Sequence, residues 1–275
     1  MKWSRTESKD LWHYKRSLDS VRSSFVGTKP RGHPAQDDKN TGAKTFNIPL
    51  HFTIMLSLHS LLLGGIVGYL IGSIPSAYII AKWKAGLDLR QEGSRNIGAR
   101  NAFEVTGKRS IGQLVLAADV LKGLLPVLVF ELARPGNPAT TNQALLVLIP
   151  TLVLGHCYPI WLRFHGGRGL ATTAGALALV NPPAVLVWLL IYGITKRLRD
   201  HVHFASIIAS VGALLLLLVI PINFIEATTL AISGLQQDGS DLRISIGVVI
   251  LIILSRHIEP FLTMIRSRDN ALNES

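Results

Sequence analysis

The chain has 275 residues, 48% of them apolar, and a formal net charge of +11. Its mean hydropathy of +0.36 excludes an ordinary water-soluble domain, and a single cysteine, Cys157, excludes an intrachain disulfide framework. The positive balance suits lipid headgroups or a phosphate ligand; no nucleic-acid-binding motif accompanies it, so nucleic acid is not expected as a partner.

Residues 1–54 are polar, with ten Lys/Arg, five Asp/Glu and no sustained apolar period. That is the composition of a disordered extension. A His33-x4-Asp38 spacing falls in this tail and carries no weight. At Met55 the character changes abruptly, and an apolar run reaches Ile80 before Lys82 and Lys84 end it. Further apolar runs cover 111–133, 143–162, 169–180, 184–194, 204–222 and 242–262. Lipid admits only helices or closed barrels, and the alternating ten-residue pattern of a barrel is missing. The expected fold is therefore all-α: a polytopic helical membrane protein with about seven transmembrane segments, its domain covering 55–275. The fourth and fifth runs are short and are split by Asn181-Pro182-Pro183, which predicts a hairpin of short helices. No internal repeat is visible, against a small transporter.

Loop charges predict the orientation. The 84–110 loop carries Lys84, Arg90, Arg95, Arg100, Lys108 and Arg109, whereas 134–142 holds only Arg134 and 223–241 has neither Lys nor Arg. Arg163 and Arg168, then Lys196, Arg197 and Arg199, then Arg256, Arg266 and Arg268 continue the alternation. The glycine-rich loops and the C-terminus are expected inside. The basic tail opposes this arrangement; a start at Met55 removes the conflict, and so does a tail retained inside, which needs an even number of spans.

Two loops carry the chemistry. In GSRNIGARN (93–101), Gly93 and Gly98 permit close backbone approach, Ser94 offers a hydroxyl, and Asn96 and Asn101 can fix the loop or bind substrate hydroxyls. In GHCYPIWLRFHGGRGLATTAG (155–175), Gly166, Gly167, Arg168 and Gly169 are expected to cradle a phosphate at the start of a helix, where free N–H groups and the helix dipole favour an anion. His156 is a candidate for substrate binding or proton handling. Asp119 and Lys122, three apart on one helical face within an apolar run, are expected to pair. Cys157 has no activating neighbour and reads as packing.

Four segments resemble the bacterial acyl-phosphate-dependent glycerol-3-phosphate acyltransferases, and together they run in order over nearly all of 55–265. Residues 68–109 resemble that family's first helix and loop. AADVLKG (117–123) is similar to its Asp-x-x-Lys-Gly segment. The 155–175 turn is similar to its Gly-His-x-x-Pro…Gly-Gly-Lys-Gly-x-Ala-Thr, and SRHIEP (255–260) to its Arg-His-Arg-Glu-Asn. The resemblance implies acyl transfer from acyl phosphate to the 1-hydroxyl of glycerol 3-phosphate, giving lysophosphatidate for phospholipid synthesis, with no cofactor or metal. It also implies a bacterial plasma-membrane location, a site facing the cytoplasm, and a soluble acyl-phosphate-producing enzyme upstream. Ser94, Asn96 and His156 are the expected catalytic residues. Gly93, Gly98, Arg100, Asn101, Gly166, Gly167, Arg168, Gly169, Arg256 and His257 are expected to bind substrate. The chain departs from the family pattern at Arg100 (Thr in the family), Glu104 (Arg), Arg168 (Lys), Ile258 (Arg) and Pro260 (Asn). The competing expectation is a divergent paralogue that acylates another polyol phosphate or binds lipid without catalysis.

Overall fold

The computed structural model describes residues 50–133, 138–228, 239–263 and 266. The disordered-tail and alternative-start expectations fall almost entirely outside these residues, as does Arg134. Among the described residues there is no β-strand, as the composition demands. The helices are α1 Leu50–Gly72, α2 Ser76–Ala85, α3 Ala99–Thr106, α4 Arg109–Ala133 and α5 Pro138–Cys157, followed by α6 Leu170–Val180, α7 Pro182–Leu198, α8 Val202–Val219, α9 Ile222–Thr228 and α10 Gly239–Ser255. The first helix starts at Leu50, ahead of Met55.

Among the described residues, four stretches are long and apolar enough to cross a membrane: Leu61–Ala85, Arg109–Leu132, Ala144–Leu162 and Val202–Val219. The chain is a multi-pass helical membrane protein. The other apolar runs form α6 with 11 residues and α7 and α10 with 17 each. At 1.5 Å per residue α6 reaches only about 16 Å, roughly half the hydrocarbon thickness. It meets α7 at Asn181, whose side chain caps α7 by accepting the Ala184 N–H at 3.1 Å. Pro182 and Pro183 occupy the first turn, where no N–H is needed. The Asn-Pro-Pro signal for two short helices is thus realised.

Small residues hold these helices together, because lipid supplies no hydrophobic drive between them. Gly64, Gly68 and Gly72 form a stripe on α1. A Cβ at Gly64 would lie 2.8 Å from the Ala144 carbonyl oxygen, and one at Gly68 would lie 2.7 Å from that of Leu148. From the α5 side, a Cβ at Gly155 would lie 2.8 Å from the Ser73 nitrogen. The lipid-type residues Leu62, Leu63 and Ile66, each more than half exposed, occupy the rest of α1. Gly123 on α4 and Gly175 on α6 let those two backbones touch as well, each excluding a side chain by its closeness to the other helix. The main core, with Leu145, Leu148, Leu152, Val249 and Ile253, packs α5 against α10.

Candidate functional site

The site is assembled where α5 ends. Pro159 follows the helix, Ile160–Leu162 make one 3-10 turn, and Arg163 and Phe164 take left-handed conformations with φ 50° and 63°. The chain doubles back, so that the Gly166 N–H donates to Cys157 O and the Gly167 N–H to His156 O, both at 3.1 Å. Only glycine fits here. A Cβ at Gly166 would sit 2.8 Å from the Cys157 oxygen, and one at Gly167 would strike the His156 ring and come within 2.8 Å of the Ile97 oxygen. The first loop therefore leans on the second through Ile97 and Gly167.

This doubling back consumes the amides of Gly166 and Gly167, which were expected to face a phosphate. The next residues present theirs instead. Among the described residues, the N–H groups of Arg168, Gly169, Leu170, Ala171 and Thr172 find no acceptor, while Thr173 N–H donates to Gly169 O at 2.8 Å. Gly169 supports the bend with φ 80°. The start of α6 thus offers a run of unpaired amides beside Arg168, an arrangement suited to an anion. Burial first, then the charges of Arg256 and Arg100, push the Arg168 guanidinium down to about 10, and Glu104 acts in the opposite sense. The group remains a cation at neutral pH, and among the described residues no carboxylate is bound to it.

The first loop is organised by Asn101, which is 1% exposed. Its Oδ1 accepts the Ser94 N–H at 2.9 Å, and its Nδ2 donates to Leu89 O at 3.3 Å and Glu92 O at 3.1 Å. Gly93, at φ 55°, leaves room for that carboxamide. Nearer the α2 end, Arg90 Nη2 meets Asp88 Oδ2 at 2.6 Å, and this partner holds the Asp88 carboxyl down at about 2. Gly98 precedes α3, which carries Arg100 and Glu104; Arg100 Nε donates to Glu104 Oε1 at 2.7 Å.

Beneath the turn lies a buried polar network. Ser76 Oγ donates to Asp119 Oδ1 at 2.7 Å, and Lys122 Nζ lies 3.2 Å from the same oxygen. Lys122 also donates to Ser76 Oγ and Ile74 O, both at 3.0 Å, and His156 Nδ1 stands 3.6 Å from Asp119. The expected Asp119–Lys122 pair is present and ties α2, α4 and α5 together under Gly167.

A cavity of about 450 Å³ opens beside the amide run. Asn96, Gly98, Arg100, His156, Arg168, Gly169 and His257 line it, so the structure brings seven expected site residues together. Gly93, Ser94, Asn101, Gly166, Gly167 and Arg256 lie outside that lining: Ser94 is exposed, and Asn101 and the two glycines are occupied by loop geometry. The cavity continues into an apolar body formed by residues such as Leu177, Leu217, Ile246 and Val249. Sequence reading missed Ser76, although Pro75 before it signals a helix start with a hydroxyl in its first turn. It also missed His203, whose ring meets that of His257 edge-on at 6.4 Å.

Comparison with known proteins agrees with this architecture. The family model described as glycerol-3-phosphate acyltransferase matches residues 62–266. The glycerol-3-phosphate acyltransferase of Myxococcus xanthus is 42% identical over 127 residues, which are 46% of this chain and 64% of that protein. That of Clostridioides difficile is 35% identical over 153 residues, 56% of this chain and 74% of the relative. Among solved structures, the glycerol 3-phosphate form of PlsY (YgiH), an integral membrane glycerol 3-phosphate acyltransferase, superposes with a TM-score of 0.59. It is 31% identical to this chain, covering 76% of it and 94% of the PlsY chain. The lysophosphatidic acid form of PlsY gives a TM-score of 0.58 at 29% identity, with 76% and 93% covered. The chain belongs to the glycerol-3-phosphate acyltransferase family.

Proposed function

We propose that the protein transfers an acyl group from acyl phosphate to the 1-hydroxyl of glycerol 3-phosphate, releasing lysophosphatidate and inorganic phosphate. One observation carries the reading: a single cavity joins a cationic, amide-rich end to an apolar body. Such a cavity takes a molecule with an anionic head and a hydrocarbon tail, and leaves the junction of the two, the acyl carbonyl, at the polar end. The related PlsY structures contain glycerol 3-phosphate and lysophosphatidic acid, substances of this chemical class.

The mixed anhydride is already activated, so positioning and charge stabilisation are the main tasks. The acceptor oxygen forms a C–O bond to the acyl carbon, the anhydride C–O bond breaks, and the hydroxyl proton leaves with the phosphate. In this reading Arg168 and the amides of 168–172 hold a phosphate, and Arg100 supplies a second cation from α3. Asn96 and His257 line the same end and orient the acceptor. His156 lines the cavity while resting against Asp119, which suits orientation of its ring. Ser94 is exposed on the first loop and so is open to a polar acceptor arriving from water. The positive loops support a cytoplasmic orientation of this side in a bacterial cell, where a soluble enzyme would supply acyl phosphate.

The test is acyl transfer by the purified chain in lipid nanodiscs, supplied with acyl phosphate and glycerol 3-phosphate. Formation of lysophosphatidate supports the reading. Turnover only with another polyol phosphate, or binding without turnover, favours the paralogue to which Glu104 and Pro260 point.

A further inference from the structure

Arg256 follows α10 and was expected to bind substrate. Its geometry gives it other work. Arg256 Nη2 donates to Gly166 O at 3.0 Å and Nε donates to Gly167 O at 3.2 Å. These carbonyls belong to the two residues whose N–H groups are already paired with Cys157 O and His156 O. With the arginine in place, each glycine has both its backbone N–H and its backbone C=O bonded.

Arg256 is itself held. Its guanidinium lies over the Tyr158 ring, 5.2 Å from the centroid. The Tyr158 hydroxyl shares a 2.7 Å hydrogen bond with Ser255, and the Tyr69 hydroxyl donates to Tyr158 O at 2.9 Å. Arg256 does not line the cavity that Arg100 and Arg168 line.

We propose that Arg256 is a positioning residue: it clamps the carbonyls of Gly166 and Gly167 and so fixes the direction in which the unpaired amides of 168–172 emerge. Two effects follow from one guanidinium. It stiffens a glycine pair that has the largest conformational freedom to lose, and it neutralises two carbonyl dipoles beside a site meant for an anion. The clamp rests on the proposed reading only in that the amide run receives a phosphate; the fixing of the turn stands apart from any reaction.

Hydrogen–deuterium exchange on the ligand-free full chain in nanodiscs tests it. Arg256→Met removes the clamp, and the amides of Gly166 and Gly167 should exchange about tenfold faster, the size expected for loss of one charge-assisted hydrogen bond. The amides of Leu148, Ile149, Thr151 and Leu152 on α5 serve as the internal reference. Arg256→Lys, which keeps the charge and one reachable carbonyl, should lie between wild type and Arg256→Met. Tyr158→Leu, which removes the platform but leaves the arginine, should also speed these two amides and decides the matter if Arg256→Met loosens the whole fold. Unchanged exchange at Gly166 and Gly167 in Arg256→Met and Tyr158→Leu overturns the clamp.

Inorganic phosphate is the second probe. A clamp predicts weaker protection of the 168–172 amides by phosphate in Arg256→Met, with partial recovery in Arg256→Lys. Loss of phosphate protection with the ligand-free turn unchanged would instead make Arg256 a direct ligand contact and overturn the proposal. If wild type fails to acylate glycerol 3-phosphate, the functional reading falls while the exchange data still judge the clamp.

Discussion

Arg100 Nε donates to Glu104 Oε1 at 2.7 Å, one helical turn apart on α3. Both side chains are about half exposed, 53% and 44%, so the pair adds only about 0.3–0.5 kcal/mol to stability. Its consequence is directional. With Nε occupied, the outer edge of the guanidinium remains available, and Arg100 but not Glu104 lines the cavity. Arg100→Thr should nearly abolish acyl transfer. The double change Arg100→Thr with Glu104→Arg should recover much of it, because a cation returns to the same face of α3, one turn on. A double-mutant cycle on the rate, at several acceptor concentrations, reads the coupling; strictly additive losses would show that the two positions do not share one duty.

Arg168 should be the stronger anion contact. Arg168→Ala is expected to lose on the order of 1.5–3 kcal/mol of binding to a charged group, seen as a roughly ten- to hundredfold drop in acceptor-limited rate. Arg168→Lys keeps the charge and should retain much of the rate. Inorganic phosphate should raise the unfolding temperature of wild type and do so less for Arg168→Ala. Equal phosphate stabilisation of both would remove Arg168 from the site.

Asp119 and Lys122 differ in kind, since their side chains are 3% and 7% exposed. Asp119→Ala leaves the lysine buried without its carboxylate and should cost about 3–5 kcal/mol. Asp119→Asn with Lys122→Met removes both charges and should cost less than Asp119→Ala. Unfolding in detergent measures the order, and the reverse order would contradict the pairing.

Close approach of α1 and α5 makes another prediction. Gly68→Leu drives a side chain into the Leu148 carbonyl and Thr151, and should destabilise by about 1–3 kcal/mol or more. Leu63→Ile, on the exposed part of the same helix, should stay within about 0.5 kcal/mol. Comparable losses at both sites would mean that the glycine stripe is not a contact face.

The Asp88–Arg90 pair sets an acid limit for the first loop. Its folded carboxyl lies at about 2, below the ordinary 3.8. The stabilising contribution is therefore complete above about pH 4 and fades as pH falls through about 2. Proteolysis of the 86–98 segment should show no pH dependence from this pair between pH 5 and 8, and Asp88→Asn should come to match wild type only as pH falls to about 2.

Much of this site was legible along the chain, and the reason differs by residue. The loop glycines, Arg168 and the Asp119–Lys122 spacing stand out because a glycine cluster costs backbone entropy and a charge inside an apolar run costs desolvation. Asn101 was visible as a loop residue, but its bonds to Leu89, Glu92 and Ser94 span up to twelve positions and no local pattern specifies them. Arg256 stood out for its motif, but its two carbonyl acceptors lie about ninety residues earlier and no local pattern names them.

The sequence by itself determined the membrane class, the helical content and the family. Hydropathy and helix-breaking residues act over tens of neighbouring positions, and lipid leaves few alternatives for satisfying the backbone. Tertiary structure alone decided which amides of the glycine turn stay free. Gly166 and Gly167 look equivalent to Gly169 in the chain, yet the return of the turn onto His156 and Cys157 occupies their N–H groups and leaves the next five unpaired. A backbone donor has no identity in the sequence; only the path of the chain past its own carbonyls says whether it is spent or available.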